Sequence, residues 1–395
     1  MGLILRLTNC RTLHKGQLLK EDLFIRDGKI IHFVKIFYEE KRRPDVTIDC
    51  GGNIVSPGFI DIQINGGFGY DFSHHSGKIS EAVSEVSRRL LAFGVTGFCP
   101  TLVTSPPNVY KDALRAVKKS RGGKHGAAVL GLHLEGPFIA LEKRGAHNPK
   151  YVRKLLHGVQ DVYQVYGEDY SAVAIVTLAP ELDPEGKVIR YLTEKGVVVS
   201  LGHSVATLEQ GQKAAKQGAT LTTHLFNAML PFHHRDPGLV GLVTSASAER
   251  PIWYGLISDG VHTHPETLRV AHRLNPQNLV LVTDAIAAMG LSSGRHFIGD
   301  MPVVIDGPMA LIAGTQTLCG SIGTMDFCVR QFWEASGCSI PEALMAASLH
   351  PAQALGLQTK GSLEVGCDAD FVVLDNNLNV LSTWIAGEKV WTKDQ

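Results

Sequence analysis

Eight stretches of this chain share one pattern, a run of β-branched or apolar residues ending in a polar or glycine- and proline-marked loop. They are NIVSPGFIDIQI, GVTGFCPTLVT, AAVLGLHLE, SAVAIVTLAPE, VVVSLGH, ATLTTHLFN, IWYGLISDG and NLVLVTDA. Near-continuous apolar strands fit a parallel sheet covered on both faces. Between several of them lie helical patterns. The clearest is ISEAVSEVSRRLLAFG, where Ile79, Ala82, Val83, Val86 and Leu90 fall on one face and Gly94 is placed to cap the end. Strand alternating with helix predicts βα units. Eight such strands in 395 residues predict an α/β fold, a (β/α)8 TIM-type barrel whose functional groups gather at the C-terminal ends of the strands. A doubly wound sheet is the rival architecture, but GGFGYDF has neither the spacing nor the strand-to-helix context of a dinucleotide-binding loop.

The two ends of the chain read differently from its middle. LILRLTNCRTL, EDLFIRDGKIIHFV, DADFVVLD and VLSTWIAGEKVW alternate as strands do, with turn signals at Asp27-Gly28 and Gly387-Glu388. They predict a small β-sandwich domain assembled from residues 1–55 and 357–395, flanking a barrel over 56–356. SIPEALMAASLHPAQALGL, with a capping-box pattern at Ser339 and Glu342, reads as the closing helical region.

Charge excludes some function classes. Thirty-eight basic and 38 acidic residues leave a net charge of zero, so no global field draws the chain to nucleic acid or to an anionic membrane. No apolar run approaches the roughly 20 residues of a spanning helix. Arg6 interrupts MGLILRLTNC before a signal-peptide core develops, and the expected location is the cytosol. The seven cysteines (Cys10, Cys50, Cys99, Cys319, Cys328, Cys338, Cys367) include no C-x-x-C and are expected to be reduced core residues.

Four polar residues stand at strand ends: Glu135 at the third, His203 at the fifth, His224 at the sixth and Asp284 at the eighth. A lone histidine or aspartate there is ordinarily a loop anchor. Four of them on one barrel would share one mouth. A carboxylate and two imidazoles suit zinc or a similar divalent ion and leave a position open for water, and Asp284 is placed to take that water's proton. The first strand presents Gln63 and Asn65, neutral amides that bind divalent metals poorly, so one metal per chain is expected. We group both amides with the substrate-facing residues, hydrogen-bonding water or loop backbone. His74, His75, His125, His157, His296 and His350 lack strand-end placement and read as surface or structural residues. Asn227, His233, His234 and Arg235 crowd one loop and His262 follows the next strand, a set suited to a phosphate or carboxylate.

The ordered motifs PGFIDIQINGG, GLHLEGPFI, KRGAHNP, SLGHS, THLFNAM, VTDAIAAMG and GSLEVGCDADFVVLD resemble the N-acetylglucosamine-6-phosphate deacetylases of the amidohydrolase superfamily over essentially the whole chain, and THLFNAMLPFHHRDPG is similar to the animal form. The resemblance implies that Glu135, His203 and His224 bind one divalent ion, most simply zinc. It makes Asp284 the general base that later returns the proton to the leaving amine, with His147 helping to polarise the amide. Asn227, the Ala228 N–H and His262 would contact the sugar phosphate, while His234 and Arg235 would reach the substrate of a neighbouring subunit in a homodimer. The other readings are a different amidohydrolase, acting on an N-acyl amino acid or a cyclic amide, and a non-catalytic barrel scaffold.

Overall fold

In the computed structural model, which describes residues 2–74, 77–246, 249–298, 301–316 and 318–393, the eight apolar runs supply the eight strands of a parallel barrel. These are β1 (Phe59–Ile64), β2 (Val95–Leu102), β3 (Leu132–Glu135), β4 (Val173–Leu178), β5 (Val198–Leu201), β6 (Leu221–Thr222), β7 (Trp253–Ile257) and β8 (Leu279–Val282). Each pairs with its chain neighbour, and a short lead-in to β3, Ala128–Val129, also pairs with β2. Closure between β8 and β1 is made just past the strand ends. Ile64 bridges Ala285, the Asp284 N–H donates to the Gln63 carbonyl at 2.8 Å, and the Asn65 N–H donates to the Ala285 carbonyl at 2.7 Å. The two faces of a barrel strand pack against different layers. On β3, Leu132 and Leu134 pack outward into the same cluster as Val162 and Val165 of the helix Val159–Tyr166, while His133 and Glu135 take the opposite, inward face.

The helix Ile79–Leu90 buries Ile79, Ala82, Val83, Val86 and Leu90 as its periodicity requires, and Gly94, at φ 76°, ends the 3₁₀ turn that follows it. Ser339 and Glu342 form the expected capping box at the start of Ile340–Ala347. All seven cysteines are buried, and none is in a disulfide.

The chain ends build two sheets. One has six strands in the order Glu388–Thr392, Val380–Ile385, Phe371–Leu374, Ile54–Pro57, Arg11–His14 and Gln17–Leu19. The other orders Lys29–Ile31, Leu23–Arg26, Ile4–Thr8 and Val46–Asp49. Leu5, Leu7 and Ile25 from the second meet Val55, Phe371 and Trp384 from the first in one apolar cluster. Asp27 and Gly28, at φ 52° and 73°, turn one hairpin, and Ala386 and Gly387, at 51° and 74°, turn another.

Three expectations need correction. NIVSPGFIDIQI is two strands in two sheets, Ile54–Pro57 in the terminal sheet and β1 in the barrel, so the 55/56 boundary falls inside a strand. The chain changes sheets at Gly58, where a Cβ would lie 2.2 Å from Thr96 side-chain atoms. LILRLTNCRTL also splits, because Asn9 at φ 50° breaks the extended run. A four-stranded antiparallel sheet, Gly294–Ile298, Met301–Asp306, Met309–Ile312 and Leu318–Gly320, follows β8 and adds to the expected elements. His75 lies outside the described residues, and His350 is structural, its Nδ1 donating to the Leu279 carbonyl at 2.7 Å.

Candidate metal centre and active site

Glu135 is the last residue of β3, and His203 and His224 each stand two residues beyond β5 and β6. Their side chains are buried and converge. Glu135 Oε1 lies 3.1 Å from His203 Nε2 and 3.2 Å from His224 Nε2, and the two imidazole nitrogens are 3.0 Å apart. The backbone at His203, His224 and Asp284 has φ of 49°, 27° and 47°. Left-handed conformations are costly for residues with a Cβ, and here each one comes two residues after a strand, where the chain turns sharply at the barrel mouth.

Hydrogen bonds assign the imidazole tautomers. His203 Nδ1 faces the Lys143 carbonyl at 2.8 Å, which can only accept, so the hydrogen sits on Nδ1 and Nε2 presents a lone pair to the cluster. His147 is the reverse case. The Thr104 N–H points at its Nδ1 at 3.3 Å and the Thr104 hydroxyl lies 2.7 Å away, so Nδ1 accepts and the proton belongs on Nε2. Glu135, His147 and His203 do offer ligand atoms within 4.8 Å of one another. His224 Nε2 joins Glu135 and His203 at the distances above while its buried Nδ1 has no hydrogen-bond partner among the described residues, and His147, with its proton on Nε2, is a donor rather than a lone pair. Burial, followed by the neighbouring His203, lowers the His147 pKa to about 3, which keeps it neutral.

These residues fit a divalent ion. Two imidazole nitrogens and a carboxylate oxygen at 3.0–3.2 Å separation would crowd their lone pairs together without a cation. Bonds of about 2.0–2.1 Å in a tetrahedral site place ligand atoms about 3.3 Å apart, close to what is found. Burial alone would raise the Glu135 pKa, but the neighbouring His203 and His224 imidazoles outweigh that, so the carboxylate is held well below its ordinary range.

Gln63 and Asn65 do not simply serve water or loop backbone. Gln63 Nε2 donates to Glu135 Oε1 at 3.0 Å, and Asn65 Nδ2 donates to Asp284 Oδ1 at 2.7 Å. The first strand therefore orients the two carboxylates. Asn65 Oδ1 is buried without a partner among the described residues. Burial, then the charge of Glu135, pushes the Asp284 pKa up to about 6. Beneath it, Asp61 accepts from the Thr283 hydroxyl at 2.6 Å and from the Thr283 and Gln63 N–H groups, each at 3.3 Å, and its burial raises its pKa to about 7.

The anion-binding candidates divide. His262 is held by Asp259, with Nδ1 2.6 Å from Oδ2. Burial would lower the His262 pKa, but that hydrogen bond and the Asp259 charge outweigh it and the net shift is upward, which favours a cation. Asn227 and Ala228 follow His224 in a tight turn, with Ala228 at φ 50°. His233, His234 and Arg235 are exposed on the next loop, beside exposed Phe232, and no contact brings them to this chain's own cluster among the described residues. Asp61, Thr104, Asp259, His133 and Glu181 surround the site without being among the residues expected from sequence, and the Glu181 carboxylate holds Ser204 Oγ at 2.6 Å and the Val205 N–H at 2.7 Å just after His203. His133 was findable, because it precedes Glu135 by two on a strand and so shares its face.

A profile of the amidohydrolase family matches residues 54–390. The chain is 57% identical over 396 aligned residues to N-acetylglucosamine-6-phosphate deacetylase of Rattus norvegicus, covering 99% of this chain and 97% of that protein. It superposes with a TM-score of 0.85 on the crystal structure of the Pasteurella multocida N-acetylglucosamine-6-phosphate deacetylase, at 30% identity and with 98% and 99% of the two chains covered. The TM-score is 0.83, again at 30% identity and over 99% and 100% of the chains, for an aspartate-to-alanine variant of the Mycobacterium smegmatis enzyme in complex with N-acetyl-D-glucosamine-6-phosphate.

Proposed function

This chain belongs to the amidohydrolase family, among its N-acetylglucosamine-6-phosphate deacetylases, and from that premise we propose that it hydrolyses N-acetylglucosamine 6-phosphate to glucosamine 6-phosphate and acetate, a step of amino-sugar catabolism. The observation that carries this reading is the meeting of Glu135, His203 and His224 at 3.0–3.2 Å at the same end of the barrel as Asp284. When bound by these three residues, one divalent ion, which we take to be zinc, would polarise the amide carbonyl and lower the pKa of the attacking water toward roughly 7.

The chain's own groups supply the rest. Asp284, ionised, takes the proton of the attacking water and returns it to the departing amine. Asn65 occupies Oδ1 of that carboxylate, which leaves Oδ2 for the exchange. The neutral His147 donates from Nε2 to the acyl oxygen, where negative charge develops. Gln63 keeps Glu135 oriented, and the unpartnered Oδ1 of Asn65 is an acceptor for the substrate side. His262, held by Asp259, binds the phosphate together with Asn227 and the Ala228 N–H. The exposure of His234 and Arg235 supports a homodimer in which each loop reaches its partner's substrate. Among the described residues no helix is long and apolar enough to cross a membrane, and we place the enzyme in the cytosol.

The test is acetate release from N-acetylglucosamine 6-phosphate, beside the unphosphorylated sugar, before and after chelation and with zinc restored. Preference for the phosphate ester and loss of activity on chelation are expected. Equal turnover of both sugars, or turnover only of N-acyl amino acids, would overturn the reading.

A further inference from the structure

Below the cluster of ligands runs a second polar layer that the reaction leaves unused. His133, on β3, is 1% exposed, and Thr177, Ser200 and Thr223 are buried as completely. His133 Nδ1 lies 2.9 Å from the Ile62 carbonyl on β1, and its Nε2 lies 2.8 Å from Thr177 Oγ1 on β4. Thr177 Oγ1 is 2.8 Å from Thr223 Oγ1, just past β6, which is 2.5 Å from Ser200 Oγ on β5.

The direction of this chain is determined at one end. A carbonyl only accepts, so His133 carries its hydrogen on Nδ1, and a neutral ring then accepts at Nε2 from the Thr177 hydroxyl. Thr177 has given its one hydrogen and must accept from Thr223, which must in turn accept from Ser200. Four side chains and one carbonyl thus tie five strand ends together with a single sense. Each link sits beside a residue of the site: Ile62 precedes Gln63, His133 stands two before Glu135, Ser200 three before His203, and Thr223 directly precedes His224. Thr177 is also the register partner of Glu135.

We infer that His133 is a positioning residue, the anchor of a buried hydrogen-bonded strut through Thr177, Thr223 and Ser200 that sets the spacing of Glu135, His203 and His224. The inference rests on the reading of that cluster as a metal site. Barrel hydrogen bonds alone fix the strands along their length. Side-chain links across the interior restrain the distances between strands that are not neighbours, such as β1 and β3, and fully satisfied buried networks are stiff.

The test uses Thr177→Val, which removes the links to His133 and to Thr223 at nearly constant volume, His133→Leu, and the double variant. Each is measured for cobalt(II) affinity by chelator competition, for the visible absorption of the cobalt(II) form, for kcat and KM, and for Tm. Groups that orient ligands typically change metal affinity or activity by about 10–100-fold. We expect Thr177→Val to bind cobalt(II) roughly 10-fold more weakly with a shifted absorption band, to lose kcat by a similar factor, and to change KM much less. The double variant should be no worse than His133→Leu, because the strut is already broken at its anchor, and His133→Gln, which keeps a donor and an acceptor, should recover part of the loss. Folded variants that keep wild-type affinity, spectrum and kcat while only Tm falls would reduce His133 to core packing. If His133→Leu fails to fold, Thr177→Val decides alone. A wild-type protein that takes up no divalent ion would overturn the reading of the site instead.

Discussion

Two carboxylates with raised pKa values sit on the inward side of the barrel, and they make different demands. Asp284 must accept a proton, so Asp284→Asn is expected to keep the metal while kcat falls by on the order of 10²-fold or more. Glu135→Ala should lose metal and activity together. Elemental analysis beside single-turnover kinetics separates the two, and near-normal turnover in Asp284→Asn would move the base elsewhere. Asp61, with a folded pKa of about 7, stays protonated in the native protein where an unfolded aspartate, at about 3.9, has already ionised. Between those two values the unfolded state binds fewer protons than the native state, so this group's contribution to stability declines as pH rises, and it declines no further above about 7. Asp61→Asn removes that titration. Measured as Tm at pH 5 and at pH 7.5, the variant should gain on the wild type as pH rises, and parallel profiles would refute the assignment.

At the scale of elements, the join between the terminal sheet and β1 is the tightest constraint. Gly58 has no room for a side chain, because its Cβ would meet Thr96 Cγ2 and Oγ1 at 2.2 Å and Thr96 Cβ at 2.7 Å. The obstacle lies near the backbone of β2 and cannot swing aside. Gly58→Ala is therefore expected to destabilise the protein by about 1–3 kcal/mol, as overpacking does, read from urea unfolding. An unchanged midpoint would show that β1 and β2 can separate freely. The strand-end pattern exposed Glu135, His203, His224 and Asp284 because buried strands are apolar and a polar residue at their C-terminal end stands out. Asp61 sits inside its strand, where one polar residue among apolar neighbours looks like noise, whereas His133 is legible only through its two-residue spacing from Glu135. The antiparallel sheet after β8 belongs to neither the barrel nor the terminal sheets, so neither pattern points to it.

For the whole molecule, the exposed loop carrying Phe232, His233, His234 and Arg235 is the feature that a single chain leaves unexplained. If Arg235 serves the partner's substrate, a chain with Arg235→Ala keeps its own Asp284 and borrows arginine, whereas a chain with Asp284→Asn lends arginine but cannot cut. Each homodimer should be poorly active at low substrate. Co-expression should restore up to roughly a quarter of wild-type activity if chains pair at random, since half the dimers then hold one complete site of two. Activity no higher than the mean of the two variants, in samples proven to contain heterodimers, would return Arg235 to its own subunit or remove it from the site.

Local chemistry in the chain determined the eight strands, the helix Ile79–Leu90, the hairpin turn at Asp27-Gly28 and, one residue before its expected place, the turn at Ala386-Gly387, and the address of the four strand-end residues, because periodicity, turn residues and burial act over a few neighbours. Tertiary structure alone decided how those residues are used. Whether an imidazole is a ligand or a donor depends on what lies behind it, the Lys143 carbonyl for His203 and the Thr104 N–H for His147, and neither partner is close in sequence. The same holds for Gln63 with Glu135, Asn65 with Asp284, and His133 with Ile62 and Thr177, pairs 44 to 219 residues apart. A proton's position is set by the nearest acceptor in space, and only closure of the barrel brings those acceptors into reach.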